Sequence, residues 1–434
     1  MPDPTTLTAT PAHAEHADSD AHPVEEKDVH TKKSNCPDCG EYPVNHHFEK
    51  ALAIVDSFSA AVFAPVDAVW QSFQPAVRAL PLDRLALPVY RIMAALHIGT
   101  LLTDADPRNA PRTHLLWEAA KRKGITMWQF QPLDNPSGIS FFVAEKDGVM
   151  RAFEGLPRPG RGVSKSIGWM DNKAILKKKF TAAGIPMARG KACFRWATAL
   201  RTMHDVGTPV ITKPNLSSRS RHSTVHITTD EELRRGFNVA KQISPWVIVE
   251  QELQGFVFRI LLVNQEPVGI VRREPPFVMG DGTHTIRQLI ALENKNPRRH
   301  SELFHEIPMD DDVIKELAHQ GLTFDSVPAK GVMQVLSTHA SRFYGGSTTN
   351  MTNVTHPDNI ALFRNIGAAL GDSLVGVDFI IEDMTKSWRE QKLCGVIECN
   401  SLPNTDLHHE VLYGKNFDAS GLLLDLAFPA SGAK

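Results

Sequence analysis

Long uncharged apolar runs are missing from this sequence of 434 residues. The best candidate, residues 51–64, is interrupted by Asp56, so nothing in the chain reads as a membrane span. Charge of one sign is not in excess either: 47 Lys and Arg against 49 Asp and Glu leave a formal net charge of -2, which offers no field for gathering nucleic acid or a membrane surface. Five cysteines, three of them scattered through the body of the chain, do not make a disulfide framework. The N-terminus lacks the basic, apolar, small-residue order of a secretory signal, so a reducing cytoplasm is the expected setting. No Ser-His-Asp or Cys-His constellation stands out. What is present is ordinary for a globular protein: 42% hydrophobic and 22% charged residues, with room for two or three domains.

Residues 1–47 are rich in Pro, Thr, His, Asp and Glu and poor in large apolar side chains, a composition expected to be disordered. Within them lie Cys36-Pro37-Asp38-Cys39 and then His46 and His47. A lone Cys-x-x-Cys without a second spaced pair is a thin zinc signal, and a tail with incidental ligands is the preferred reading. A zinc-dependent partner-binding module is the alternative. Residues 48–100 show helical spacing punctuated by Pro65, Pro75, Pro81 and Pro88, and read as a helical extension. Residues 101–165 alternate helix and strand, with a hairpin turning at Asp147-Gly148, and read as a small α/β domain.

From 166 to about 430 the motifs that carry chemistry appear in series. The stretch DNKAILKKKFTAAGIP is a basic helix whose charge run reads as a solvated face. In TPVITKPN, Lys213 ends a strand beside the loop SSRSRHST, which is not glycine-rich but carries hydroxyls and backbone N–H groups, with Arg219 and Arg221, that could cover an anion. Three strands follow in WVIVEQELQGFVFRILLVNQEPVGIVRRE, and put Arg259 and Arg273 on neighbours. They either converge on anionic groups or are ordinary surface arginines. Asp281-Gly282 makes a turn, and THTIRQLIALENKNPRR reads as one helix with a threonine cap and an Arg-rich end. Last come GVDFII and GVIECN, flanking a polar turn. Strand alternation puts Glu398 and Asn400 on one face, with Ile397 and Cys399 on the other. If the two strands pair, Asp378, Glu398 and Asn400 converge, an oxygen-rich set suited to a hard cation such as Mg²⁺.

In this order the words DNKAILKKKFTAAGIP, VITKP, VIVEQELQGFVFRILLV, RREPPFVMGDGTHTIRQLI, NPRR, GGSTTNMTNVTHPDN, GVDFII and VIECNSLPN resemble the ATP-grasp ligases, and among them the branch of cyanophycin synthetases and related amino-acid ligases. The likeness runs from Ser166 to Pro429, roughly three-fifths of the chain. It implies an α/β (α+β) ATP-grasp fold that holds the nucleotide between two α+β subdomains. It further implies Lys173 and Lys213 on the nucleotide phosphates, together with the lid serines Ser217 and Ser218. Glu250, Gln251 and Leu253 would form the hinge facing adenine. Asp378, Glu398 and Asn400 would hold Mg²⁺, with Mn²⁺ as the alternative ion, and Arg259 and Arg273 would steady the γ-phosphate and an acyl phosphate.

The implied activity is ATP-dependent ligation of a carboxylate to an amine of small amino acids, of γ-glutamyl or other dipeptide type. No nucleic-acid or membrane partner is expected, and homo-oligomer formation is left open. The cyanophycin polymerases carry further domains, so a free-standing ligase acting once is the expected form. His408 and His409, just after the last motif, read equally as acceptor-site or packing residues. Three departures stand out: the lid lacks its glycines, Val257 replaces an acid that binds ribose, and Asn350 and Asn353 replace acids. These leave a catalytically inactive nucleotide-binding protein as the alternative function.

Overall fold

The computed structural model describes residues 36, 39, 45–51, 53–55, 82–133, 140–158, 169–215, 222–301, 303–337 and 340–429. Ser217, Ser218, Arg219 and Arg221 lie outside these residues, as do most of 1–47 and Pro65, Pro75 and Pro81. Asn45 caps a helical stretch that starts at His46, its side-chain oxygen accepting from the backbone N–H groups of His47 and Phe48.

The first layer is α1 (Leu82–Ala95), β1 (Gly99–Leu102), α2 (Pro111–Arg122), β2 (Thr126–Pro132), β3 (Phe141–Lys146) and β4 (Val149–Glu154). Its four strands pair antiparallel in the order β1-β2-β3-β4. Pro88 lies inside α1 rather than ending a helix. Asp147 and Gly148 both have positive φ, the geometry of a tight two-residue hairpin turn. Leu116, Trp117, Ala119 and Ala120 form the buried side of α2. They share a core with Leu261, Val263 and Leu374 and with the C-terminal helix.

The second layer holds α3 (Lys173–Ala182), β5 (Gly190–Cys193), α4 (Trp196–Val206), β6 (Val210–Pro214), β7 (Thr224–Ile227), α5 (Asp230–Ala240) and β8 (Val247–Gln251). Its sheet runs β5-β8-β6-β7. Thr229 and Glu232 close a reciprocal capping box at the start of α5, which fixes where the helix begins.

The third layer carries β9 (Phe256–Val263), β10 (Glu266–Glu274), β11 (Phe277–Met279), α6 (Ile286–Glu293), α7 (Asp311–His319), β12 (Met333–Val335), β13 (Ser347–Asn350), α8 (Pro357–Leu370), β14 (Leu374–Ile381), β15 (Gly395–Asn400), α9 (Asp406–His409) and α10 (Ala419–Ala427). Five strands form an antiparallel sheet in the order β13-β10-β9-β14-β15, and β11 pairs with β12 apart from it. Every residue of β9 and of β14 is buried, as central strands covered on both faces require. On one face Phe258, Ile260, Val377, Phe379 and Cys399 pack with Leu362, Phe363 and Ile366 of α8. The helix expected over THTIRQLIALENKNPRR is shorter than the sequence suggests. It stops at Glu293, where Asn294 caps it, and Pro297–His300 form a separate 3-10 turn because proline interrupts the ladder.

Candidate active site

The site grows from the other face of the five-stranded sheet. Register places Asp378 opposite Arg259 on one side and opposite Glu398 on the other. The Arg259 guanidinium grips the Asp378 carboxylate with two bonds, Nε to Oδ1 at 2.5 Å and Nη2 to Oδ2 at 2.9 Å. The Asn400 amide reaches Asp378 Oδ2 and Glu398 Oε1, both at 3.3 Å. Lys173 Nζ stands 3.6 Å from Glu398 Oε2. The three side chains expected to converge are therefore brought together, and their donor set of two carboxylates and one amide suits a hard cation.

Arg259 and Arg273 are not surface arginines. Both are buried, at 1% and 3% exposure. Arg259 faces Val271 across the ladder and Arg273 faces Val257, which puts the two guanidinium stems diagonally on the same face.

The alternation expected for GVIECN fails at one place. Asp378 pairs with Glu398 but Phe379 pairs with Val396, so Ile397 is an extra, bulged residue. It packs with Val257, Ile380, Leu253 and Ala188 on the site's face instead of joining Cys399 in the core. Burial, then the nearby carboxylates Asp378 and Glu398, push the Cys399 thiol well above its ordinary pKa, so it remains a core thiol.

A second charged knot lies on the β5-β8-β6-β7 sheet. Glu250 on β8 receives Lys177 Nζ at 2.6 Å and Lys213 Nζ at 2.7 Å. Burial opposes ionisation of Glu250, but the two ammonium groups outweigh it and hold the carboxyl at about 2. Glu250 thus spends its side chain on two lysines, while the hinge expected at Glu250, Gln251 and Leu253 is partly tied up: the Gln251 N–H already donates to the Arg189 carbonyl at 2.7 Å. Leu253 lies in the apolar cluster named above.

The basic run of α3 is not wholly a solvated face, because Lys177 is buried. The buried side of α3 is Lys173, Leu176, Lys177 and Phe180. That is helical spacing of three and four residues, so the lysine's place beside Leu176 and Phe180 carried the signal.

Other polar groups were also out of reach of the sequence. Glu274, fully buried, accepts from Arg272 Nε at 2.6 Å and from the Ser347 and Thr349 hydroxyls at 2.8 Å each. Asp171 accepts from the Ser401 hydroxyl at 3.2 Å, and burial raises its carboxyl's pKa. His408 is buried against Gly269, with neither ring nitrogen hydrogen-bonded among the described residues. Burial, then the charge of Arg259, lowers it to about 3, so it is neutral. His409 is half-buried, 3.5 Å from Asp418. The NPRR arginines are structural: Arg298 binds the Val411 carbonyl at 2.6 Å, and Arg299 the Gly345 carbonyl at 2.8 Å and Glu293 at 2.9 Å.

These elements now stand beside known proteins. No family profile matches the chain. The crystal structure of a bifunctional glutathione synthetase from Pasteurella multocida superposes with a TM-score of 0.55 at 24% identity, covering 73% of this chain and 43% of that one. Cyanophycin synthetase from Crocosphaera subtropica is 29% identical over 342 residues, 76% of this chain and 36% of that protein. The chain has the ATP-grasp fold. In sequence it is similar to cyanophycin synthetases and to bifunctional glutathione biosynthesis proteins. The bifunctional glutathione biosynthesis protein of Mannheimia succiniciproducens is 29% identical over 275 residues, 60% of this chain and 35% of that one. The ATP-grasp chain spans about a third of the length of these curated relatives. Among the described residues no helix is long and apolar enough to cross a membrane.

Proposed function

We propose that the chain is an ATP- and Mg²⁺-dependent carboxylate-amine ligase that joins small amino acids or short peptides. The observation that carries this reading is the meeting of Asp378, Glu398 and Asn400 on one sheet face, gripped by Arg259 and touched by Lys173. Among the described residues Arg259, Arg273, Lys173, Lys177 and Lys213, all buried, outnumber the carboxylates Asp378, Glu398, Glu250 and Asp171 by one. That surplus of cations suits a polyphosphate.

In this reading a substrate carboxylate oxygen attacks the γ-phosphorus and ADP departs, giving an acyl phosphate. An amine then adds to the acyl carbon, the tetrahedral adduct collapses, and phosphate leaves as the amide forms. Asp378, Glu398 and Asn400 would hold Mg²⁺, which would supply positive charge to the phosphoryl oxygens. Lys173 and Lys213 contact phosphates, and Lys177 fixes the Glu250 carboxylate between them. Arg273 faces the transferred group, whereas Arg259 acts through Asp378 by locking its orientation. Leu253, Val257, Ile380 and Ile397 give the adenine ring an apolar seat. Ser217 and Ser218, outside the described residues, are assigned to the phosphates by the family resemblance alone. The division into residues 1–47, 48–100, 101–165 and 166–430 is our domain plan, with the boundary at 100 falling inside β1 (Gly99–Leu102), so that α1 and β1 join the layer of β2–β4.

Amino-acid substrates are favoured by likeness to a cyanophycin synthetase and to bifunctional glutathione proteins, and a γ-glutamyl or other dipeptide product is our substrate reading. The test is to mix the protein with ATP, Mg²⁺ and pairs from an amino-acid panel, following amine-dependent ADP release and the product mass. ADP and a new amide in the same pair support ligation. Nucleotide binding without ADP from any pair would favour the inactive alternative.

A further inference from the structure

We propose that Cys36, Cys39, His46 and His222 form a structural zinc site that fastens the N-terminal segment to the β5-β8-β6-β7 sheet. One ligand atom from each of the four lies within 4.8 Å of the others. Cys39 Sγ is 3.1 Å from His46 Nε2 and 3.4 Å from His222 Nε2. With zinc bonds of about 2.3 Å to sulfur and 2.0–2.1 Å to nitrogen, tetrahedral geometry makes ligand-to-ligand edges of about 3.3–3.8 Å. The cluster is already near that size.

The orientation of His222 argues for a ligand and not merely for packing. Its Nδ1 is 3.1 Å from the Val239 carbonyl. A carbonyl only accepts, so Nδ1 carries the proton and Nε2 presents its lone pair to the cluster. A metal-bound histidine is held in the same way by a partner on its other nitrogen. Two imidazole Nε2 atoms therefore crowd one Cys39 sulfur. A cation among the four atoms would draw on a lone pair from each of them.

Two thiolates and two imidazoles cancel the charge of Zn²⁺ and are softer donors than the oxygen set of Asp378, Glu398 and Asn400. Cys39 and His222 are buried, as a closed structural site requires.

The sequence alone pointed to Cys36, Cys39, His46 and His47. The structure replaces His47 with His222, which is 183 residues from Cys39 and just ahead of β7. The missing second half of the motif thus comes from a distant segment. His46 opens its helical stretch under the Asn45 cap, and Cys36 Sγ lies 3.4 Å from Gln242 Oε1 just beyond α5. The site ties both ends of residues 36–46 to one sheet and its helix.

The test uses the full chain, purified without a histidine tag under reducing conditions. Elemental analysis should find one zinc per chain, and a mercurial that titrates thiols should release it in step with two cysteines. Exchange for Co²⁺ should give tetrahedral d–d absorption with thiolate-to-cobalt charge transfer. Cys39→Ser and His222→Gln should each lower bound zinc at least ten-fold, whereas Glu398→Ala should keep it. Chelation of wild-type protein should open residues 36–46 to protease, so the result does not depend on any variant folding. Metal-free protein that takes up no Co²⁺, another metal in place of zinc, or a cobalt spectrum unchanged in Cys39→Ser would overturn the proposal.

Discussion

The two ends of the candidate site are built from opposite materials, and the change from one to the other is visible on β9 and β14. Two residues apart on one face, Asp378 gives way to Ile380 on β14, and Arg259 gives way to Val257 on β9. At the charged end each group is held by another: Arg259 by Asp378, Lys173 by Glu398, and Lys177 and Lys213 by Glu250. At the apolar end Leu253, Val257 and Ile380 rely on contact alone. On the proposed function, the charged end would meet groups whose charge changes during reaction. The apolar end can discriminate only by shape.

If that contrast is right, the largest effect comes from the charged end. Glu398→Ala should lower ADP formation by about 10³-fold, since it removes one anchor of transition-state charge. Because Glu398 is only partly buried, circular dichroism and melting should change little, and wild-type turnover in this variant would sink the metal assignment.

Glu250→Gln should act first on stability. It leaves Lys177 and Lys213 buried without their carboxylate, which costs about 3–5 kcal/mol in a denaturant titration. A loss below about 1 kcal/mol would mean that water or rearrangement satisfies the lysines.

Acid sharpens the same point. The Glu250 carboxyl drops from its ordinary 4.5 to about 2 on folding. Its contribution is complete above 4.5 and fades as pH falls towards 2, worth about 3 kcal/mol. His408 adds an earlier slope: its folded pKa of about 3 lies below its ordinary 6.5, so the unfolded chain takes up the proton first and stability falls from 6.5 downward. Denaturant midpoints measured from pH 7 to pH 2 should fall in wild type, with the fall below 4.5 shallower in Glu250→Gln.

The smallest effect belongs to the apolar end. Val257→Ala should raise KM for ATP by about ten-fold at nearly constant kcat, as expected when a pocket loses methyl groups that touch ground and transition state alike. A fall in kcat with unchanged KM would place Val257 outside the nucleotide seat.

What could be read from the sequence follows from how local each signal is. The convergence of Asp378, Glu398 and Asn400 needed only two strands and a period of two. The hairpin at Asp147-Gly148 needed only two turn residues. Helical spacing could have exposed Lys177, but its charge argued against burial until Glu250 came from another strand to meet it. The Arg259 grip on Asp378 needed the pairing of β9 with β14, whose residues lie 119 positions apart. The bulge at Ile397 has no local mark, and NPRR follows a run of helix formers that Pro297 breaks.

A regular strand offers a site every second residue, so a change from oily to charged along it takes about 7 Å. By spending one residue on the bulge, β15 turns adjacent side chains, Ile397 and Glu398, toward the same side. The seam between the dry and the ionic compartments is therefore a single residue wide, and deleting Ile397 would move the wall of one compartment into the other.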